Sequence, residues 1–338
     1  MQVRPAHPAA RGALDISTPG CLPPARKSRK REKRMLSKLR RLADGHTVHV
    51  WDRAEAGVWG DPLATLERVA ERWRRYRSAT VDPAVTEHDD MLAEQPGGDA
   101  AYRQIGESAL RVIAEAMILS GRTQFDTILD LPCGGGRVTR HLAQFFPDAD
   151  IHVADIDAAK QEAVVKQFAA TPFAFPHDFR GSPNRSFDLV FVGSLLTHFD
   201  RKLFERALDF FIKALSRGGI AVLTTHGRNN AAEVVRSPSF PEFKAKQFEF
   251  IRHIEDTKAK IKTNFDPEKA IVEQFRKDGF GYFATPIHSS LYKQSYGGSF
   301  SSPSWLLRRI ERRADCAVLG FKERSYGNMQ DVLILQKL

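Results

Sequence analysis

Near the middle of the chain, Ile128-Leu-Asp-Leu-Pro-Cys-Gly-Gly-Gly-Arg137 carries an apolar run through an acid straight into three consecutive glycines. Glycines let backbone approach a ligand with no Cβ in the way, and a helix starting just beyond offers unpaired N–H groups to a carboxylate or phosphate. The Asp130 carboxylate, closing the apolar run, is placed to accept from an ammonium group or from the loop N–H groups. A second acid, Asp155, follows Gly134 by 21 residues, the spacing at which an acid ending the next strand grips two ribose hydroxyls. Without a ligand the same triplet is a tight strand-to-helix turn, and Asp157 reads as the N-cap of the helix that follows.

Nicotinamide dinucleotides and S-adenosylmethionine are both held by such a pair of devices, and two features separate them here. The dinucleotide pattern is G-x-G-x-x-G, yet counting from Gly134 the third glycine position is Thr139, so close passage of a pyrophosphate is poorly supported. The Asp130 carboxylate would repel a pyrophosphate and suits the ammonium of a methionine moiety. Two histidines follow later apolar runs at the expected ligand edge, His198 in Leu-Leu-Thr-His-Phe199 and His226 in Thr-Thr-His-Gly-Arg228. Imidazole titrates in the range of a general base; read structurally, His198 is a cap or packing residue. Tyr102, upstream, either folds over a bound cofactor or packs on an amphipathic face.

The elements that must position these groups follow from periodicity. Leu63, Leu66, Val69, Ala70 and Trp73 fall at helical spacing behind Asp61-Pro62, an N-cap with proline at the first helical position, and a second helix runs from about Asp99 to Ser120, ended by Gly121. Short apolar runs then alternate with helical segments, the pattern of βαβ units. Strands are predicted at Thr127 to Leu131, Ile151 to Ala154, Phe187 to Val192 and Ile220 to Thr224, the last entered through a Gly218-Gly219 turn. Helices are predicted at Val138 to Phe146, Ala158 to Ala169 and Lys202 to Leu215, and a short third strand precedes Asp178. A charged, helix-prone stretch at about 236–277 reads as an inserted helical cap. Ala317 to Phe321 and Val332 to Leu335, joined through Tyr326-Gly327-Asn328, read as an antiparallel hairpin on the sheet edge. The expected fold is α/β: a doubly wound, mostly parallel seven-stranded sheet with that C-terminal hairpin, N-terminal helices and the cap.

Charge divides the chain. Residues 1–45 hold twelve Lys or Arg against three acids, a net +9 of the whole chain's +10, and their prolines and scarce large apolar residues predict disorder. This basic tail is a solvated appendage, a contact for RNA or anionic lipid, or a targeting peptide. It lacks an apolar signal-peptide region. Residues 46–120 form an N-terminal helical segment, and 121–338 the nearly neutral body that binds cofactor. No run approaches the roughly 20 apolar residues of a membrane span, and three scattered cysteines suit a cytoplasmic setting.

Asp130-Leu-Pro-Cys-Gly-Gly-Gly-Arg-Val-Thr-Arg-His-Leu142, Phe146-Pro-Asp-Ala149, His152-Val-Ala-Asp-Ile-Asp157 and Ser186-Phe-Asp-Leu-Val-Phe-Val-Gly-Ser-Leu-Leu-Thr-His-Phe199 resemble successive motifs of class I, Rossmann-like S-adenosylmethionine-dependent methyltransferases. The likeness is greatest to bacterial methyltransferase-domain proteins associated with glycan or secondary-metabolite pathways. It extends more weakly to Tyr102-Arg-Gln-Ile-Gly106, Thr224 to Arg228, Tyr296 to Trp305 and Gln330-Asp331. The resemblance implies that Asp130, Gly134 and Gly136 hold the methionine end of the cofactor and Asp155 the ribose. It places Ile156 against the adenine, Asp178 near its amine and Ser194 in the pocket wall after the fourth strand. Pro132 stands where many members have their first glycine, Cys133 completes the turn, and Gly135 stands where close relatives often have His.

The function so implied is methyl transfer to a small molecule, a sugar or a lipid-linked intermediate, at oxygen, with His198 or His226 as base. Nucleic acid is not the expected substrate. No grouping of His, Asp and Glu has divalent-metal spacing, so metal-independent transfer is expected. The reading from another class is a methyltransferase-fold binding or scaffold protein without activity, recruited through its basic tail; the nicotinamide oxidoreductase reading is disfavoured by Thr139. Oligomeric state is not legible.

Overall fold

The computed structural model describes residues 62–93, 97–236, 267–284 and 297–338. The basic tail, Asp61, most of the inserted cap and Tyr296 lie outside the described residues. Two long helices come first, α1 (Pro62–Ser78) and α2 (Gly98–Ser120), with a single helical turn, Asp90–Ala93, between them; Gly121 closes α2 in a left-handed conformation with its N–H on the Ile118 carbonyl.

The sheet then winds as β1 (Thr127–Asp130), α3 (Thr139–Phe145), β2 (Asp150–Val153), α4 (Ala158–Phe168), β3 (Thr171–Pro172), β4 (Phe187–Val192), α5 (Arg201–Lys213) and β5 (Leu215–Thr225). After it come α6 (Arg228–Arg236), α7 (Pro267–Asp278), β6 (Phe280–Ala284), β7 (Gly297–Ser301), α8 (Pro303–Ile310), β8 (Cys316–Tyr326) and β9 (Gln330–Lys337). Seven strands form one sheet in the order β3-β2-β1-β4-β5-β9-β8. The first five are mutually parallel, β9 is antiparallel to β5, and β8 is the antiparallel edge. This is the doubly wound, mostly parallel sheet with a C-terminal hairpin that the alternating pattern predicts.

Residues alternate between two apolar layers. Leu129, Val190, Ala221 and Leu223 face a cluster with Phe204 and Phe211 of α5 and Trp305 of α8. Ile128, Leu189, Phe191 and Val222 face the opposite cluster, with Val69 of α1, Ile113 and Met117 of α2 and Leu142 of α3. Burial on both faces is why these strands read as continuous apolar runs rather than alternating ones. Among the described residues, no helix is long and apolar enough to cross a membrane.

The structure corrects two expectations. The helix expected to reach Leu215 stops at Lys213, and the strand expected to start after a Gly218-Gly219 turn starts at Leu215 and runs through both glycines. Phe187 pairs with Leu215, then Leu189 with Ile220, so the surplus residues of β5 are absorbed in a bulge around Gly218, whose φ is +74°. The region following the cap also holds a two-stranded antiparallel sheet, β6 with β7, where strand character was not expected. Its sequences, Phe-Gly-Tyr-Phe-Ala and Gly-Gly-Ser-Phe-Ser, are short and glycine-rich, and their stability comes from distant partners. Phe280 and Trp305 stack at 4.5 Å, with Phe204 of α5 5.7 Å and 5.1 Å from them.

Phe204 is therefore the rivet between this small sheet and the main one. Phe204→Ala should cost about 3–5 kcal/mol of unfolding free energy, measurable as a lower urea midpoint. A loss below about 1 kcal/mol, the scale of a surface substitution, would show that the small sheet is not packed on α5.

Candidate functional site

All five parallel strands end at one sheet edge, and the loops that follow them gather there. Asp130, the last residue of β1, is fully buried; its Oδ2 accepts the Thr139 hydroxyl at 2.7 Å, while Oδ1 has no hydrogen-bond partner among the described residues. Burial pushes this carboxyl up to about 7, with the Thr139 bond pulling it back and the Asp155 charge adding to the rise. An acid held half-satisfied in the core is a site for a cation or a donor, because an unpaired buried acceptor otherwise costs about 1–3 kcal/mol.

The chain then turns through Pro132, preceded by a cis peptide bond, and Cys133, whose N–H donates to the Ala154 carbonyl at 2.9 Å. The Cys133 thiol is buried, and that burial, with Asp130 and Asp155 nearby, pushes its pKa up, so it remains a neutral thiol. Gly134 and Gly136 adopt φ of +51° and +86°, conformations open to glycine. Asp155 ties the turn to the next loop. Its Oδ2 accepts the Gly134 N–H at 2.8 Å and its Oδ1 the Asp157 N–H at 2.9 Å. Burial raises its pKa and those two bonds pull it down. Asp157 in turn caps α4 through Ala159 and Lys160 N–H. Ile156, partly exposed, stands between these acids.

Ser194 follows β4 with φ +58°; its N–H donates to Thr224 Oγ1 at 2.8 Å, and its hydroxyl accepts from Gln330 Nε2 at 2.9 Å. Asp178 is engaged within its own loop by the Arg180 N–H and, at 3.2 Å, by the Arg180 guanidinium. Tyr102 lies fully buried in α2, where its hydroxyl donates to Asp89 and its ring sits 5.8 Å from the Arg137 guanidinium.

On the other side of the edge stand the histidines. His198 closes a 3-10 turn, Leu196–His198, and its Nδ1 lies 2.8 Å from the Gly297 carbonyl oxygen. A carbonyl only accepts, so Nδ1 carries the proton of this bond. His226 follows β5; burial, and secondarily His198, push it down to about 4. Strand β7 pins both loops: Ser299 Oγ donates to the Leu196 carbonyl at 2.9 Å and the Ser301 N–H to the His226 carbonyl at 2.8 Å. Two buried hydroxyls here, Thr225 Oγ1 and Ser301 Oγ, have no partner. Gln330, Gly297 and Ser301 fall in the weaker stretches of the sequence resemblance, where no role is assigned to them, and Asp89 falls in none of its quoted motifs; each acts through a partner more than ten residues away, which spacing does not reveal.

A family model described as a methyltransferase domain matches residues 129–221. Among solved structures the chain is similar to an S-adenosylmethionine-dependent methyltransferase from Clostridium acetobutylicum, with 11% identity, 73% of this chain and 95% of that one covered, and a TM-score of 0.43. It is similar to the N-methyltransferase NodS from Bradyrhizobium japonicum, solved with S-adenosyl-L-homocysteine, with 11% identity, coverage of 80% and 98%, and a TM-score of 0.39. Similarity to the sugar N-methyltransferase KedS8 from Streptoalloteichus is 26% identity, over 43% of this chain and 56% of that one, with a TM-score of 0.33. The strand order is that of a doubly wound, Rossmann-like sheet, residues 129–221 match a methyltransferase domain, and that match supports S-adenosylmethionine as the cofactor.

Proposed function

We propose that the chain transfers a methyl group from S-adenosylmethionine to a hydroxyl of a small molecule, a sugar or a lipid-linked intermediate, in the cytoplasm and without a metal. A place in glycan or secondary-metabolite chemistry suits such an acceptor. Bound at the glycine turn, S-adenosylmethionine supplies a methyl group already activated on a sulfonium, which leaves alignment and proton removal to the protein.

Asp130 Oδ1 would accept from the methionine ammonium, with the backbone of Pro132, Cys133, Gly134 and Gly136 holding the methionine end. The Asp155 carboxylate, which holds the turn through Gly134, would accept the ribose hydroxyls with its remaining lone pairs. Ile156 would pack on the adenine, Asp178 would face its amine and Ser194, steadied by Gln330, would wall the pocket. Tyr102 acts from behind the turn.

The observation that carries oxygen as the methylated atom is the His198 hydrogen bond to the Gly297 carbonyl, because it commits the Nδ1 proton to that carbonyl and so makes Nε2 the nitrogen at which the ring would accept a proton. His198 Nε2 would take the proton that the acceptor hydroxyl gives up on methylation. His226, held down to about 4, stays neutral and serves the acceptor as a hydrogen-bond partner.

Two measurements test this reading. Asp130 must be ionised to receive an ammonium, and its folded pKa is raised to about 7, so S-adenosylhomocysteine affinity should fall about tenfold per pH unit below that value and level off above it. Asp130→Asn should flatten this profile and lose about 1.5–3 kcal/mol of binding at pH 8. Calorimetry from pH 5.5 to 8.5 reads both; a flat wild-type profile removes Asp130 from the ammonium site.

For the base, labelled methyl transfer from S-adenosylmethionine to a panel of hydroxylated acceptors identifies a substrate. His198→Ala should then lower turnover at saturation by about 10² to 10⁴, with S-adenosylhomocysteine affinity intact and the wild-type rise of rate with pH abolished. Normal turnover in the variant would make His198 structural, and transfer confined to amine acceptors would exclude O-methylation.

A further inference from the structure

In the segment between α1 and α2, residues 79–92, Asp89 is the single buried side chain, 7% exposed, between exposed His88 and exposed Asp90. An acid enters a protein interior only with partners. Asp89 Oδ2 accepts the buried Tyr102 hydroxyl, and Oδ1 accepts the Met91 N–H at 3.1 Å. What it packs against is the glycine turn. A Cβ on residue 135 would fall onto the Cβ, Cγ and Oδ2 of Asp89, so the absence of a side chain at Gly135 is what admits this one.

The same segment is bound to α3 and α4, the helices that flank the turn. Arg140 of α3, 1% exposed, donates from Nε to the Gly136 carbonyl at 3.2 Å and from Nη1 to the Asp82 and Ala84 carbonyls at 2.9 Å and 2.7 Å. Its Nη2 reaches the Tyr102 hydroxyl at 3.4 Å. Gln167 of α4 donates to Asp82 Oδ2 and the Ala84 carbonyl, both at 2.8 Å. Lys160, also of α4, lies 2.8 Å from both Asp90 oxygens. The exposed Lys160–Asp90 pair contributes little by itself; the buried Arg140 and Tyr102 bonds carry the attachment, because breaking one leaves an unpaired polar group inside.

We propose that Asp89 is a positioning residue for the cofactor turn: residues 82–91 form a strap, and Asp89 supplies from it the side chain that residue 135 lacks, bracing Gly134 to Gly136 from behind. The turn's N–H groups and the Asp155 tie are then fixed before the cofactor arrives, so binding does not have to order them. Tyr102 acts through Asp89 rather than by contact with the ligand. The inference rests on the reading of this turn as the S-adenosylmethionine site.

The test uses the full chain and S-adenosylhomocysteine. Asp89→Ala should weaken calorimetric affinity by about tenfold or more, the effect of losing one charge-assisted bond, and should speed hydrogen exchange at residues 133–137 while exchange in β4 stays at the wild-type rate. Asp89→Asn, whose amide still pairs with Tyr102 and the Met91 N–H, should recover most of the affinity. Gly135→Ala should reproduce the Asp89→Ala defect, and the double variant should bind no more weakly than either single one, since both act by displacing the strap. Tyr102→Phe, which removes one hydroxyl and keeps the ring, guards against a variant that fails to fold and should show a smaller loss in the same direction. Unchanged affinity in Asp89→Ala, or additive losses in the double variant, overturns the proposal while the cofactor reading stands. A wild-type protein that binds no S-adenosylhomocysteine overturns the cofactor reading and the strap's role together.

Discussion

A carboxylate sealed at the end of the central strand, with one oxygen unpaired, is the constraint around which this site is arranged. Asp130 has no exposure and one partner, Thr139, and burial dominates its raised pKa. A fold that only needed a stable β1 would place an apolar residue there, since an unpaired buried acceptor is destabilising. Its retention suits a site whose cationic partner arrives from solution. Thr139 ties the chemistry to the local sequence: the residue that interrupts the dinucleotide pattern is the one whose hydroxyl holds Asp130 in place. Selection against a pyrophosphate and support of the acid therefore reside in one side chain.

Asp155 takes the opposite part. Both of its oxygens already accept backbone N–H groups, from Gly134 and Asp157, so it is a strut between the loops after β1 and β2 before it is a ligand contact. A carboxylate has about four lone-pair sites, which leaves capacity for ribose hydroxyls without releasing the turn. One acid kept half-satisfied and one kept locked divide recognition from pre-organisation.

The parallel half of the sheet was legible because each strand is an apolar run beside a helix of definite period, and because Asp130, the glycines and Asp155 sit close in sequence. What was not legible depends on contacts distant in sequence. Strand β8 extends five residues past the expected Phe321, and those residues, Lys322-Glu323-Arg324-Ser325-Tyr326, are mostly polar because β8 is the sheet edge, where charge blunts pairing with other chains. β6 and β7 carry little strand propensity of their own and are held by Phe204 and Trp305. Asp89 stands in a polar, proline-containing stretch whose composition reads as a loop; its burial follows from a glycine 46 positions later. The absence of a side chain at Gly135 was visible in the sequence, but nothing local says what fills the gap.

The two sides of the site are built from different parts of the chain. Cofactor-facing groups belong to β1, β2 and the loops after them, which are fixed by the main sheet. The histidines proposed to face the acceptor are set by β7: the Gly297 carbonyl accepts from His198 Nδ1, and Ser299 and Ser301 hold the loops that carry His198 and His226. β7 belongs to the small sheet, anchored through Phe280 and Trp305 onto α5 rather than hydrogen-bonded into the main one. Under the proposed O-methylation, changes in β6 and β7 would alter how His198 and His226 are held without disturbing the glycine turn. Acceptor choice would then be separable from cofactor binding, because the groups proposed for the two are held by different hydrogen-bonded sheets that both pack on α5.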